Sequence, residues 1–264
     1  MNLKKYLSIY RTSLIQSFAY RFNYLVWAIL HPVYITIMYF VWTAIYSNSG
    51  TGAIAGMTLS QVIAYFVINS AFDRWVGIDL RVEEQVNRGT ATIFFLRPIS
   101  YFFANLAIEL GRRTNAFFLH MLPTLIYGIL ILGFRFTNLT YTILGLISFV
   151  LAFLINFIYS FIIGLTIFWT KKYKGTYIIT EGISWILSGG LVPIVFFPKV
   201  LREITMLTPL PYIEFTPPMI FLGIYGVVGS IKLILIQIFW IIALYFVWKI
   251  IFKKAYKKFT GVGV

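Results

Sequence analysis

Apolar residues fall in long runs broken by short polar clusters, and the spacing within each run predicts the elements. Residues 3–20 set Leu3, Tyr6, Leu7, Tyr10, Leu14 and Phe18 at helical spacing, with Lys4, Lys5, Ser8, Arg11, Thr12 and Gln16 over much of the other side. That pattern predicts a basic amphipathic helix within residues 1–21, lying in a membrane interface; a solvated leader is the plainer alternative. Apolar runs of spanning length then predict helices at 22–46, 59–76, 114–134, 141–169, 177–197 and 227–252, since crossing hydrocarbon takes about 20 mostly apolar residues. His31-Pro32 and His120 with Pro123 fall inside the first and third runs, where proline removes a backbone donor and kinks a helix. Residues 47–58 read as a charge-free turn. Asn138-Leu139-Thr140 matches a glycosylation sequon, a common chance pattern.

Two stretches depart from plain spanning helices. Thr180 to Gly223 starts as an apolar helix, passes Gly189-Gly190, and meets Pro193, Pro198, Pro209, Pro211 and Pro217-Pro218. Broken backbone at membrane depth is tolerated only where protein or a wet cavity satisfies the freed amides. The stretch therefore predicts a segment that turns back without crossing, an outer hairpin over 193–223 with two short helices and with Phe196 and Phe197 dipping into the bilayer. The second stretch, Asp73 to Arg113, holds most of the acids. There a polar helical pattern ends at Gly89, an apolar piece ATIFFL comes next, and Pro98 suits the start of the next helix. The plainer reading is a solvated loop, against which Phe94 and Phe95 are apolar surface needing a partner or lipid.

Charge fixes orientation. With both termini on one side and six crossings, that side receives all of the 22 lysines and arginines except Arg135, Lys199, Arg202 and Lys232. Basic residues accumulate in cytoplasmic loops, so both termini are expected in the cytoplasm.

Composition narrows the class. The chain is 60% hydrophobic and 11% charged, with a net charge of +14. Soluble domains carry roughly 25% charged residues. The basic residues cluster at the ends of apolar runs, a membrane-orientation pattern rather than a nucleic-acid groove. There is no cysteine, hence no thiolate metal site or cysteine nucleophile. No GxxxxGK[ST], HExxH or GxSxG occurs, so the chain has no nucleotide, metal or cofactor site of its own by motif. Glu181, one turn into the fifth run, is either a pathway residue or an ion-pair partner of Lys171, Lys172 and Lys174. His31, His120 and Glu181 have no geometry in common that the sequence reveals, and the membrane midplane reads as nearly charge-free. An ion-coupled carrier usually shows internal repeats and mid-membrane charges, and neither is visible; a membrane-embedded transferase is the remaining alternative. A chain with no energy source of its own points to a partner ATPase docking on the Asp73–Arg113 loop.

Two motifs carry a family resemblance. VNRGTATIFFLRPIS before the third run, and LSGGLVPIVFFPKVLREITMLTPLPYIEFTPPMIFLG after the fifth, are similar to the corresponding patterns of the six-span ABC-2 type permeases. Thr208-Pro209-Leu210-Pro211-Tyr212 stands where a simpler Leu-Pro-Phe is usual. The resemblance implies an all-α integral membrane fold: an interface helix, six transmembrane helices, a cytoplasmic coupling helix in 77–100 and a re-entrant outer hairpin. It implies the transmembrane subunit of an ATP-driven exporter in a prokaryotic plasma membrane, paired with a second permease chain, the same or related. ATP and Mg are expected in the separate nucleotide-binding subunits. Carried onto this chain, Arg81, Glu83, Glu84, Gln85, Arg88 and Gly89, with Phe94, Phe95, Arg97 and Pro98, form the ATPase-coupling element. Gly189, Gly190, Pro193, Phe196, Phe197 and Pro198 form the outer gate. Nothing in the residues selects a substrate.

Overall fold

The computed structural model describes residues 3–19, 21–76, Val82, Gln85, 99–170 and 173–260. It is built almost wholly of helix: α1 Leu3–Ala19, α2 Arg21–Ser49, α3 Leu59–Val76, α4 Tyr101–Ala116, α5 Leu122–Leu130, α6 Leu139–Leu165, α7 Ile167–Thr170, α8 Tyr173–Leu187, α9 Lys199–Met206, α10 Pro211–Glu214, α11 Thr216–Phe221 and α12 Gly226–Thr260. Three of the described helices are long and apolar enough to cross a membrane, over Tyr24–Ser49, Leu139–Leu165 and Gly226–Lys257. The fold is that of an all-α membrane protein.

The helix α6 is the centre of the bundle and packs chiefly against α12 and α11. Phe149, Phe153, Phe157 and Phe161 recur every fourth residue and so share one face; each is at most 2% exposed. Phe149 stacks on Phe72 of α3 with ring centres 3.7 Å apart, and Phe161 meets Phe102 and Trp248. Aromatic rings bury large areas and add a directional attraction of about 0.5–1.5 kcal/mol per pair. Gly145 has no side chain because Phe221 lies across it: a Cβ there would come within 2.0 Å of the ring. Mid-helix on α12, the buried Gln237 reaches out of the apolar surface. Its Nε2 donates to Tyr212 O at 2.9 Å and Ser148 O at 3.2 Å, and its Oε1 accepts from Ser148 Oγ at 2.9 Å. One amide thereby ties α6, α12 and α10 together.

The amphipathic helix α1 lies along α4. Tyr10 Oη bonds Thr114 Oγ1 at 2.9 Å and Ser13 Oγ donates to Ile108 O at 2.7 Å. Gly111 permits the approach, since a Cβ would sit 2.6 Å from Tyr10 O. Leu3, Leu7, Ile15 and Phe18 stay exposed on the remaining side, the surface a lipid interface would cover.

Several elements differ from expectation. The third helix starts at Tyr101, three residues after Pro98 and well before the apolar run at 114–134, and helix continues through a π turn at Phe117–Met121 to Leu130. Its first half looks too polar in the sequence because its charges are paired: the buried Glu109 accepts from Arg112 Nη1 at 2.8 Å and Arg113 Nη2 at 2.9 Å. The π turn lies immediately before Pro123, whose ring and missing N–H disturb the preceding helical turn. The turn at 47–58 contains a minimal β-hairpin, Ala53↔Thr58 and Ile54↔Met57, a small departure from all-helix. Ala55 and Gly56 both have positive φ, 49° and 81°, the pairing that two-residue hairpins require. Tyr46 Oη fastens it by donating to Met57 O at 2.6 Å. Asn138 is the N-cap of α6, its Oδ1 accepting from Tyr141 N at 3.0 Å. The helix of the fifth run ends at Leu187, just before Gly189-Gly190 and short of the full apolar run to 197, and three short α-helices come after it instead of two.

Candidate functional site

The end of α8 is set by its glycines. Gly190 N donates to Trp185 O at 3.1 Å and Gly189 N to Ile186 O at 3.2 Å, with Gly189 at φ +90°. This pair of bonds is the Schellman stop, which favours glycine at the left-handed position. Tyr65 Oη of α3 then donates to Gly189 O at 2.7 Å, so the freed carbonyl has a protein partner inside the bundle. Pro193 caps the single 3-10 turn Ile194–Phe196, and Pro198 caps α9. Phe196 lies against Trp42 of α2 with ring centres 4.6 Å apart, and Phe197 packs on the same apolar cluster as Phe196. The amphipathic α9 leaves Val200, Leu201, Ile204 and Leu207 beside it exposed.

Beneath this break lies a cavity of about 660 Å³, lined from α2, α3, α6, α8 and α10. Trp27, Tyr34, Phe66, Tyr159 and Trp185 supply aromatic walls, and Asp73, Glu181, Glu214, His31 and Asn69 supply polar groups. His31 Nε2 is 3.3 Å from Asp73 Oδ2, and His31 Nδ1 is 2.9 Å from Trp27 O. His120, wholly buried on the π turn, meets the His31 ring edge-on with centres 4.4 Å apart. Gly190 matters here for contact as well as conformation. A Cβ at that position would fall 1.9 Å from Glu214 Oε2 and 2.4 Å from the Trp185 indole, so the missing side chain is what lets both groups reach the cavity.

The structure thus brings together groups that look unrelated in the sequence. His31 and His120 touch, Asp73 closes on His31, and Glu181 lines the same space. Asp73 reads as part of a charged loop, yet it lies on α3 and faces inward. These groups form a compact polar cluster set by helix register rather than by hydropathy. Glu214 escapes sequence reasoning because it sits among prolines. Its one signal is that of an isolated acid in an apolar stretch. Of the lysines expected beside Glu181, Lys171 and Lys172 lie outside the described residues. Among the described residues no group of histidines and acids is arranged to hold a metal ion.

Of the proposed coupling element, Arg81, Glu83, Glu84, Arg88, Gly89, Phe94, Phe95, Arg97 and Pro98 lie outside the described residues. Gln85 is described, and its amide is engaged within the chain: Nε2 donates to Asn105 Oδ1 at 3.0 Å and Oε1 accepts from Tyr101 Oη. Val82 is buried against Gly164 of α6, where a Cβ would meet it at 3.0 Å.

The family model for ABC-2 family transporter protein matches residues 33–263. The chain belongs to that family. It is a multi-pass membrane protein and the permease component of an ABC transporter, a class in which the membrane subunit works with an ABC ATPase and normally has no ATPase site of its own. Among curated proteins, no sequence matched this permease.

Proposed function

We propose that the permease forms, with a second copy or a related chain, the membrane pathway of an ATP-driven exporter. It would move an amphiphilic or drug-like molecule out of the cytoplasm or inner leaflet of a prokaryotic plasma membrane. The observation that carries the reading is the joint one of family membership over residues 33–263 and an aromatic, polar-lined cavity bounded at one end by the α8 break. In this reading six helical passes leave both termini in the cytoplasm, and residues 77–100 contain the helix that seats in the ATPase. Glu83, Glu84, Arg88, Phe94 and Phe95 are its contacts. Gln85 acts from behind, bracing the element on α4 through Asn105 and Tyr101. The hairpin over 193–223 forms the outward gate, and lipid covers the exposed apolar surfaces of α2 and α12.

The test is co-purification with the cognate ABC ATPase after replacing Glu83, Glu84 and Arg88 with alanine. Loss of the complex, with the permease still folded, is expected; a retained complex with full substrate-stimulated ATPase activity refutes the coupling assignment. The His31–Asp73 pair is the feature that would suit an ion-coupled carrier, since titratable groups inside membranes commonly mark ion relays. That reading demands transport by this chain alone in liposomes under a proton or sodium gradient without ATP.

A further inference from the structure

The helix α1 leaves one apolar face uncovered, and the charge beside that face identifies what covers it. At about 100° per residue, Leu3, Leu7, Leu14 and Phe18 fall on one stripe of α1 about 60° wide. Leu3 is 71% exposed, and Leu7 and Phe18 nearly half exposed. On one flank of the stripe, Tyr10 and Ser13 bond α4. The other flank holds Lys4, Arg11 and the exposed Ile15, all within about 60° of the stripe's edge. Lys4 and Arg11 are both exposed and lie about 10 Å apart along the helix axis. Among the described residues neither makes an ion pair. No Asp or Glu occurs before Asp73, and Glu109, the acid on the neighbouring α4, is taken by Arg112 and Arg113.

Whatever meets this face must offer apolar area and, one step aside, negative charge. Chain position narrows the choice. The helix α1 ends at Ala19, α2 begins at Arg21, and a membrane-spanning stretch begins at Tyr24. Phe18 is thus six residues short of hydrocarbon, and a soluble partner on the stripe would compete with the bilayer beside it. Acyl chains supply the apolar area. Phosphate oxygens accept from Lys4 Nζ and from the Arg11 guanidinium, whose planar fork matches phosphate. A zwitterionic headgroup cancels much of that attraction with its own ammonium, whereas an anionic headgroup keeps it.

We infer that α1 is a binding site for anionic phospholipid, with Leu3, Leu7 and Phe18 against the acyl chains and Lys4 and Arg11 on the headgroup phosphates. Lys5 lies on the solvent side of the helix, well away from both the stripe and its basic flank, and takes no part.

The chain has no cysteine, so Leu7→Cys carries a single bimane label on the stripe. The labelled full chain is placed in phosphatidylcholine nanodiscs with a small, equal fraction of chain-brominated phosphatidylglycerol or chain-brominated phosphatidylcholine, and quenching is compared. Brominated phosphatidylglycerol should be enriched at the label by about fivefold or more, the effect of one to two basic contacts with an anionic headgroup. Lys4→Gln with Arg11→Gln should bring the ratio of the two lipids to about one while quenching by brominated phosphatidylcholine stays as before. Lys5→Gln should change the ratio by less than about twofold. Salt at 1 M, where the screening length is about 3 Å, should at least halve the ratio in the labelled chain without these substitutions, a measurement that stands even if the double variant does not fold. Equal quenching by the two lipids, a ratio unmoved by the double substitution or by salt, or a Lys5→Gln effect as large as that of the double variant overturns the site. A label quenched by neither lipid also overturns it and gives the face to a soluble protein partner.

Discussion

Replacing Gln237 with leucine removes a side chain that ties the short helix α10 to the middle of the bundle. Gln237 is fully buried and makes three hydrogen bonds, two of them to the carbonyls of Tyr212 and Ser148 and one from the Ser148 hydroxyl. Leucine fills nearly the same volume, so no cavity term enters. The loss is polar. Hydrogen bonds between membrane helices average about 0.6 kcal/mol, with a maximum near 1.7. Ser148 can turn its hydroxyl to its own helix, whereas Tyr212 O, on the four-residue α10, loses its bond from across the bundle. Summing two ordinary bonds and one orphaned carbonyl gives about 2–4 kcal/mol. The assay is thermal unfolding of the permease in nanodiscs combined with amide hydrogen exchange. Gln237→Leu should lower Tm by several degrees and speed exchange selectively across residues 211–223, with α3 and α6 unchanged. Ser148→Ala should then cost almost nothing further in the Gln237→Leu background, since its partner is gone. Wild-type exchange at 211–223, or fully additive costs, would refute the idea that this amide anchors the hairpin.

Gly189→Ala places a side chain at φ +90° and a Cβ 2.9 Å from that of Phe215, so a loss of about 2–3 kcal/mol is expected; Tyr65→Phe, which removes the bond to Gly189 O, should cost about 1 kcal/mol. Both are read from melting temperature, and a neutral Gly189→Ala would show that α8 does not depend on this stop. Glu109→Gln leaves Arg113 buried with its charge partner neutralised, and should lower stability by about 3–5 kcal/mol, visible as poor yield of folded protein. Glu109→Gln together with Arg113→Met should recover part of that loss, which a mere expression defect would not.

The membrane class, the amphipathic first helix, the stop at Gly189-Gly190 and the proline-capped short helices were legible in the sequence. Each follows from local rules: apolar run length, amphipathic period, a left-handed glycine, and proline at a helix start. The family resemblance on the GG..P..FFP stretch was legible for the same reason, because turn chemistry is local. The burial of the third helix's polar first half was not. Glu109, Arg112 and Arg113 read as solvated charge until folding pairs them beneath α1. The cavity was not legible at all. His31, Asp73, Glu181 and Glu214 are spread across nearly 200 positions of the chain, and nothing local to any one of them points to the others. Only the packing of α2, α3, α8 and α10 around α6 sets their side chains toward a shared space. Helix periodicity predicts which residues share a face of one helix, whereas contact across helices depends on rotation and depth, which packing at Gly145, Gly190 and the α6 phenylalanines decides.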